Sequence, residues 1–271
     1  MLLVVAKTGN IGSSLVLDLL LDERADRKDI DVRVVSSGAK MSPAEADYVS
    51  KRVLELGPDL VLYATPNASA PGPRKVIEAL RGRRAIVVSD GPAVKAKDFI
   101  EERGLGYILV KADAMIGARR EFLDPTEMAV FNADILKVLA GTGVVRLMQV
   151  EIGKTLSGLK EGKVYLPRII VSAEKAVEHA EYQDQKAREN AMKAYKMAEE
   201  VGKLNVRGCF IEKDPDVYIR TVAEAHERLR QAAALVEEAR LIEQQKDTLL
   251  RTPHSPDGRI LRKTRLLEKP S

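Results

Sequence analysis

The sequence predicts an α/β protein with an open, mostly parallel sheet, followed by a helical bundle and a small C-terminal β segment. In the first half, short apolar runs alternate with helical stretches, as in parallel strands joined by crossover helices. In the second half, long runs rich in Ala, Glu, Lys and Met replace the strands. We expect an α/β cofactor-binding domain over 1–140, a helical bundle over 141–245 and a β-hairpin segment over 246–271.

Five strands are predicted from short, nearly uninterrupted apolar runs, which are typical of strands covered on both faces. They are Leu2 to Val5, Val32 to Val35, Leu60 to Tyr63, Ile86 to Val88 and Tyr107 to Val110. A helix over Pro43 to Leu56 is indicated by Ser42 as N-cap, Glu45 at the third helical position and Gly57 after the last turn.

Capping and periodicity also predict the later elements. Asp124 and Pro125 start a helix that ends near Leu139. Apolar residues at helical spacing predict long helices over Ala173 to Lys203 and Asp216 to Gln245. Between them the segment NVRGCFI, residues 205–211, is predicted as a strand, and a Pro-Asp-Gly turn at 256–258 predicts the C-terminal hairpin.

Composition excludes several classes of protein. The chain has one cysteine and three histidines, too few for an internal disulfide or a cysteine metal cage, so we expect no metal. No apolar run approaches the roughly 18 residues that span a bilayer, and the N-terminus turns polar too soon for a signal peptide. We therefore expect a cytoplasmic protein that does not bind a membrane.

The net charge of +4 comes from the last 26 residues, which hold seven Lys and Arg against three Asp and Glu. A basic tail suits nucleic acid, but this one contains no aromatic residue on which a base could stack. We therefore do not expect nucleic-acid binding.

The loops after the strands are the expected ligand site, because ligands of open parallel sheets bind beyond the carboxyl ends of the strands. After the first strand, residues 7–14 (KTGNIGSS) resemble a dinucleotide fingerprint with Lys7 in place of its first glycine, which suggests a Rossmann-like variant with anion-binding amides. Ser36, Ser37 and Gly38 stand where an acidic residue would hold the ribose of NAD, so the usual NAD pose is disfavoured.

The other strands end in a proline-rich loop at 65–73, an Asp90 turn and a long polar loop at 111–124. No loop offers a nucleophile with a His base at recognisable spacing, which disfavours acyl transfer, and no complete P-loop is present. Hydride transfer fits better, because a cofactor supplies the electronics and the protein supplies orientation.

Several long motifs resemble those of the coenzyme F420-dependent methylenetetrahydromethanopterin dehydrogenases of methanogenic and related archaea. They are LLLDERADR at 19–27, Pro66-Asn67 with Ala70-Pro71-Gly72-Pro73, GLGYILVKADAMIGARREFLDP at 104–125, Gly208-Cys209-Phe210, Ala225-His226-Glu227 and RTPHSPDG at 251–258. The resemblance implies reversible hydride transfer between 5,10-methylenetetrahydromethanopterin and coenzyme F420, a deazaflavin, giving the methenyl compound and reduced coenzyme. It also implies no metal and a homohexamer built as a trimer of dimers.

The resemblance, together with the expected loop positions, assigns candidate site residues in three groups. The expected coenzyme-binding residues are Thr8, Gly9, Asn10, Gly12, Pro66, Asn67, Pro71, Asp90 and Lys111. The expected substrate-binding residues are Met115, Arg119, Arg120 and His254, the last reaching a neighbouring subunit's site. Asp113 and Glu121 are the expected catalytic carboxylates. Asp113 is expected to hydrogen-bond the coenzyme, and Glu121 could offset the positive charge of the methenyl product.

Two alternatives remain open at this point. One is an NADP-dependent oxidoreductase of the same fold, because Lys7 and the serines after the second strand do not exclude it. The other is a non-catalytic oligomeric scaffold whose basic tail binds a partner or RNA.

Overall fold

The computed structural model describes residues 1–21 and 25–271, so residues 22–24 of the LLLDERADR motif lie outside the described residues. The strands are β1 (Leu2–Lys7), β2 (Asp31–Ser36), β3 (Leu60–Thr65), β4 (Ala85–Asp90), β5 (Gly106–Val110) and β6 (Arg168–Val171). The helices are α1 (Gly12–Leu21), α2 (Pro43–Leu56), α3 (Pro71–Ala79), α4 (Lys97–Glu101), α5 (Pro125–Gly141), α6 (Val144–Lys160), α7 (Ala173–Ala180), α8 (Gln185–Val206) and α9 (Pro215–Gln245).

Over the described residues, the strands form one open parallel sheet in the order β2-β1-β3-β4-β5-β6. Alternate residues of β1, β3, β4 and β5 face opposite layers of helices. Leu3 and Val5 pack with α1, α5, α6, α8 and α9, whereas Val4 and Ala6 pack with α2, α3 and the 3₁₀ turn at 91–96. The predicted fold class is confirmed. β2 is added to the sheet on one side of β1, and β3 on the other side. This change of side places a crevice beside the carboxyl ends of β1 and β3.

The five predicted strands are confirmed to within two residues at each end. The helix over 43–56 is confirmed at both ends, because Ser42 accepts from the amide of Ala44 and Gly57 adopts a left-handed φ of 60°. The helix that Asp124 caps runs two residues beyond its predicted end, to Gly141, and the last long helix starts at Pro215. These ends are set by local signals that the sequence carries on its own.

Three element predictions were wrong. The region predicted as helical, 141–245, also contains β6, which pairs with β5 through Tyr107↔Arg168 to Val110↔Val171 and so joins the sheet. The single helix predicted over 173–203 is two helices, because Glu181 adopts a left-handed φ of 52° and Asp184 caps a new helix. The strand predicted over 205–211 continues α8 instead and ends in a π-helical turn, Arg207–Ile211.

The C-terminal segment folds back on itself as predicted, through two isolated antiparallel bridges, Arg251↔Lys263 and His254↔Ile260. Its turn packs beside the amino ends of β1 and β2, where the amide of Lys28 donates to the carbonyl of Pro256 at 2.8 Å. The basic tail is therefore held against the α/β layer.

The described residues, 1–21 and 25–271, can be searched for membrane-spanning helices and for metal-binding groups. Within them no single helix is long and apolar enough to cross a bilayer, and α5 and α6 pass that test only as a pair bent by 67°. Within the same residues, no group of three His, Cys, Asp or Glu side chains is arranged to hold a metal ion.

Candidate functional site

Among the cavities at the carboxyl edge of the sheet, two adjoin each other beside the loops that follow β1, β3, β4 and β5. The larger has a volume of about 540 Å³ and the smaller about 340 Å³. Met41, Pro66, Met115 and Phe210 line both cavities. Volumes of this size are typical of small-molecule sites. Because the cavities share these four residues, ligands in the two would lie side by side.

Many of the predicted site residues come together here. Those that line at least one cavity are Gly9, Asn10, Pro66, Asn67, Asp90, Lys111, Asp113, Met115 and Arg119. Those that line neither cavity are Thr8, Gly12, Pro71, Arg120, Glu121 and His254. The larger cavity thus brings together several of the residues expected to bind the coenzyme. Gly9 and Asn10, which are also expected to bind the coenzyme, instead line the smaller cavity with Met115 and Arg119.

Thr8 lies behind the cavity wall. Its fully buried hydroxyl shares a hydrogen bond of 2.6 Å with the Tyr63 hydroxyl and donates to the Thr65 hydroxyl at 3.0 Å. The next residue, Gly9, has a left-handed φ of 73°, and a Cβ there would approach the Pro66 ring to 2.9 Å. Thr8 therefore fixes the backbone from which Gly9 and Asn10 reach the smaller cavity.

Asp113 joins the loop after β5 to the start of α1. Its fully buried carboxylate accepts hydrogen bonds from the amides of Gly12 at 2.9 Å and Ser13 at 2.8 Å. Burial raises the pKa of Asp113 to about 6, although these hydrogen bonds act in the opposite direction. The carboxylate therefore both lines the larger cavity and satisfies amides at the first turn of α1.

Asp90, at the end of β4, supports a strained residue in the loop after β3. One carboxylate oxygen of Asp90 accepts from the amide of Asn67 at 2.9 Å. Asn67 has a φ of 52°, in the left-handed region that few residues except glycine adopt without cost. Such strain is often found at ligand sites. Burial raises the pKa of Asp90 to about 7, and the nearby Asp113 adds to the rise.

The raised pKa of Asp90 predicts a pH-dependent stability. In the unfolded chain this carboxyl titrates near pH 4. Because its folded pKa is the higher one, its contribution to the free energy of unfolding is complete below about pH 4 and is lost as the pH rises through about 7. We expect Asp90→Asn, which keeps an acceptor for Asn67, to remove about 2 kcal/mol of the stability difference between pH 5 and pH 8.

Urea unfolding at the two pH values measures this difference. Asp47→Asn is the matched control, because Asp47 is an exposed carboxylate paired with Lys75. An equal pH dependence in wild type and Asp90→Asn would contradict the prediction.

Arg119, Glu121 and Tyr218 form a cluster beside the smaller cavity. The Arg119 guanidinium donates to the carbonyls of Gly208 at 2.8 Å and Glu212 at 3.0 Å, and its carbon lies 4.0 Å from the centre of the Tyr218 ring. The Tyr218 hydroxyl donates to Glu121 at 2.8 Å. Arg120 is exposed. Arg119 reaches the cavity wall, whereas Glu121 is exposed on the outer side of the cluster.

His254 is buried at the other edge of the sheet, in the C-terminal turn beside the amino ends of β1 and β2. Its Nε2 lies 3.4 Å from the side-chain nitrogen of Gln149 on α6. Contact with a substrate would therefore require the site of a neighbouring subunit, as the sequence-based expectation states.

Several lining residues were not among the sequence-based candidates. Met41 follows β2, Lys95 lies in the turn after β4, Gly202 and Val206 belong to α8, and Phe210 lies in the π-helical turn. Loop position after a strand could have indicated Met41 and Lys95. No local pattern places α8 over the sheet edge, because that depends on how the helical layer packs.

Comparisons with known proteins agree on one family. The family model for methylene-5,6,7,8-tetrahydromethanopterin dehydrogenase matches residues 2–271. Relatives named F420-dependent methylenetetrahydromethanopterin dehydrogenase include one from Archaeoglobus fulgidus, 55% identical over 98% of this chain and 97% of the relative. Another, from Methanocaldococcus jannaschii, is 51% identical over 98% of each chain.

A solved structure gives the same result for the fold. It is that of an F420-dependent methylenetetrahydromethanopterin dehydrogenase in complex with methylenetetrahydromethanopterin and coenzyme F420. It is 44% identical to this chain, has a TM-score of 0.97, and the match covers 100% of this chain and 99% of the other. With a family model that spans almost every residue and relatives above 50% identity, the chain belongs to the methylene-5,6,7,8-tetrahydromethanopterin dehydrogenase family.

Proposed function

We propose that the chain catalyses reversible hydride transfer between 5,10-methylenetetrahydromethanopterin and coenzyme F420. The products are 5,10-methenyltetrahydromethanopterin and reduced F420. The observation that carries this proposal is the pair of adjoining cavities with a shared wall, in a chain whose family acts on this pterin. Hydride transfer requires two ligands in contact, and this arrangement suits it.

The residues around the larger cavity fit the coenzyme. Pro66 and Met115 offer apolar surface to a flat ring, and the left-handed Asn67 turns its loop along the same wall. The exposed ammonium groups of Lys95 and Lys111 can pair with an anionic part of the ligand. We assign F420 to this cavity and the pterin to the smaller one, beside Gly9, Asn10 and Arg119.

Bound F420 would accept the hydride at its deazaflavin C5. The chain itself positions the two ligands, excludes water from the site and stabilises the developing charge. The apolar walls keep water from the reacting carbon, and the cavity residues hold the two rings in contact. The methenyl product is a cation, so the buried carboxylates of Asp90 and Asp113 can stabilise the developing charge. In this proposal Glu121 acts through Tyr218, which it holds beside Arg119.

The test follows the visible absorbance of oxidised F420 after mixing with methylenetetrahydromethanopterin and purified protein. We expect saturable bleaching with F420 and no reduction of NAD or NADP in parallel samples. Reduction of NADP instead of F420 would support the alternative cofactor. No reduction of any acceptor, and no saturable binding, by folded protein would support a non-catalytic scaffold.

The proposal also includes a cytoplasmic homohexamer built as a trimer of dimers. Large apolar side chains that are exposed in the single chain, among them Val34, Val164 and Leu267, fit burial in an assembly. Light scattering on purified protein measures the mass of the assembly, and fractionation of source cells measures its location.

A further inference from the structure

Phe210 is an exposed aromatic side chain in the wall of both cavities. Its relative exposure is 70%, the highest among the four residues that line both cavities. Aromatic residues make up only 4% of the chain. Exposure of a large apolar ring at a ligand site is explained if a bound ligand covers that ring.

The backbone that carries Phe210 is held firmly, although its side chain is exposed. Arg119 donates to the carbonyls of Gly208 and Glu212, on either side of Phe210. Gly208 packs so closely on α9 that a Cβ there would lie 2.9 Å from a methyl group of Val222. Single π-helical turns are frequent at functional sites. The backbone position of Phe210 is therefore fixed, whereas its exposed ring is accessible to a ligand.

We propose that Phe210 forms a shared wall against which the flat rings of both ligands pack, and that Arg119 is the residue that positions it. This inference rests on the proposed function, which supplies a planar deazaflavin for the larger cavity and a pterin ring system for the smaller one. Contact with a ring would bury the apolar surface that Phe210 now exposes, and aromatic pairs gain further from stacked or edge-on geometry. Arg119 acts through the backbone of residues 208–212 rather than through the reacting atoms.

The test compares Phe210→Ala with Ile211→Ala. Ile211 is the adjacent residue in the same turn, has a similar exposure of 67%, and lines neither cavity. Dissociation constants of F420 and of methylenetetrahydromethanopterin are measured separately by calorimetry, and kcat and KM by bleaching of F420. We expect Phe210→Ala to weaken the binding of each ligand by about five- to tenfold, Ile211→Ala to match wild type, and Phe210→Tyr to restore most of the binding.

The role of Arg119 is tested through coupling. If Arg119 acts by positioning Phe210, Arg119→Gln raises the dissociation constant of F420, whose assigned cavity Arg119 does not line, and has little further effect on it when Phe210 is already alanine. Additive effects would show that Arg119 acts independently and would overturn its positioning role.

Each remaining outcome decides the proposal. Equal binding by Phe210→Ala and Ile211→Ala would overturn a role for Phe210, and weaker binding of one ligand alone would overturn the shared wall. Wild-type protein that binds neither ligand would overturn the proposed function and this inference with it. If wild-type protein binds and turns over both ligands, the proposed function holds, and a negative result with the variants then overturns only the inference about Phe210.

Discussion

Gly72→Ala is expected to lower the free energy of unfolding by about 3 kcal/mol. Gly72 lies in the first turn of α3, where a Cβ would sit 2.0 Å from the carbonyl oxygen of Met41 and 2.9 Å from the carbonyl carbon of Ser42. These are backbone atoms, so no side-chain rotation can relieve the overlap. Because Met41 lines both cavities, the backbone shift should also reduce turnover. Thermal and urea unfolding measure the loss of stability.

Gly202→Ala is the matched control for this prediction. At Gly202, inside α8, the nearest atom to a new Cβ is the Ala114 methyl at 3.9 Å. Alanine there should stabilise the helix by roughly 0.5–1 kcal/mol. A Gly72→Ala protein as stable as Gly202→Ala would show that the Met41 loop moves away at no cost.

Asp113→Ala is expected to cost about 2 kcal/mol of stability and to lower turnover by roughly tenfold or more. The substitution removes the acceptor for the buried amides of Gly12 and Ser13, each worth about 1–3 kcal/mol when unsatisfied. Relief from burying the carboxylate offsets part of this loss. Turnover falls because the loop with Lys111 and Met115 loses its attachment to α1. Urea unfolding and the F420 bleaching assay measure the two effects.

Asp124→Ala provides the comparison. Asp124 is an exposed N-cap that accepts from the amide of Glu127 at 2.7 Å and lines neither cavity. Its loss should cost about 1 kcal/mol and leave turnover near wild type. If Asp113→Ala retains full turnover, the link between Asp113 and the cavity loop has no functional role.

Helix α2 shows what can be predicted from sequence alone. Ser42, Pro43 and Gly57 act on the backbone within a few residues of themselves, so both ends of this helix follow from local chemistry. The runs of β1, β3, β4 and β5 are similar, because a strand covered on both faces must be apolar throughout. The positions of the loops after β1, β3, β4 and β5 at one edge of the sheet therefore follow from the sequence alone.

Residues 205–211 and β6 show where such reasoning fails. The apolar and aromatic residues of 205–211 suit a strand, but this segment continues α8 and is fixed by Arg119, almost ninety positions earlier in the chain. β6 has only four residues and becomes a strand because β5 offers an unpaired edge. Both outcomes depend on long-range packing. The same is true of Met41 and Phe210, which complete the cavity walls from other parts of the chain.

The contact between Asp113 and α1 also disfavours the binding of a nicotinamide dinucleotide. In dinucleotide-binding enzymes of related architecture, the amides at the start of the first helix hold the pyrophosphate of the cofactor. Here the amides of Gly12 and Ser13 already bind a carboxylate of the chain itself. A nicotinamide dinucleotide in that pose would find its donors taken and a negative charge beside its own. The Asp113 carboxylate thus occupies the amides to which a pyrophosphate would otherwise bind.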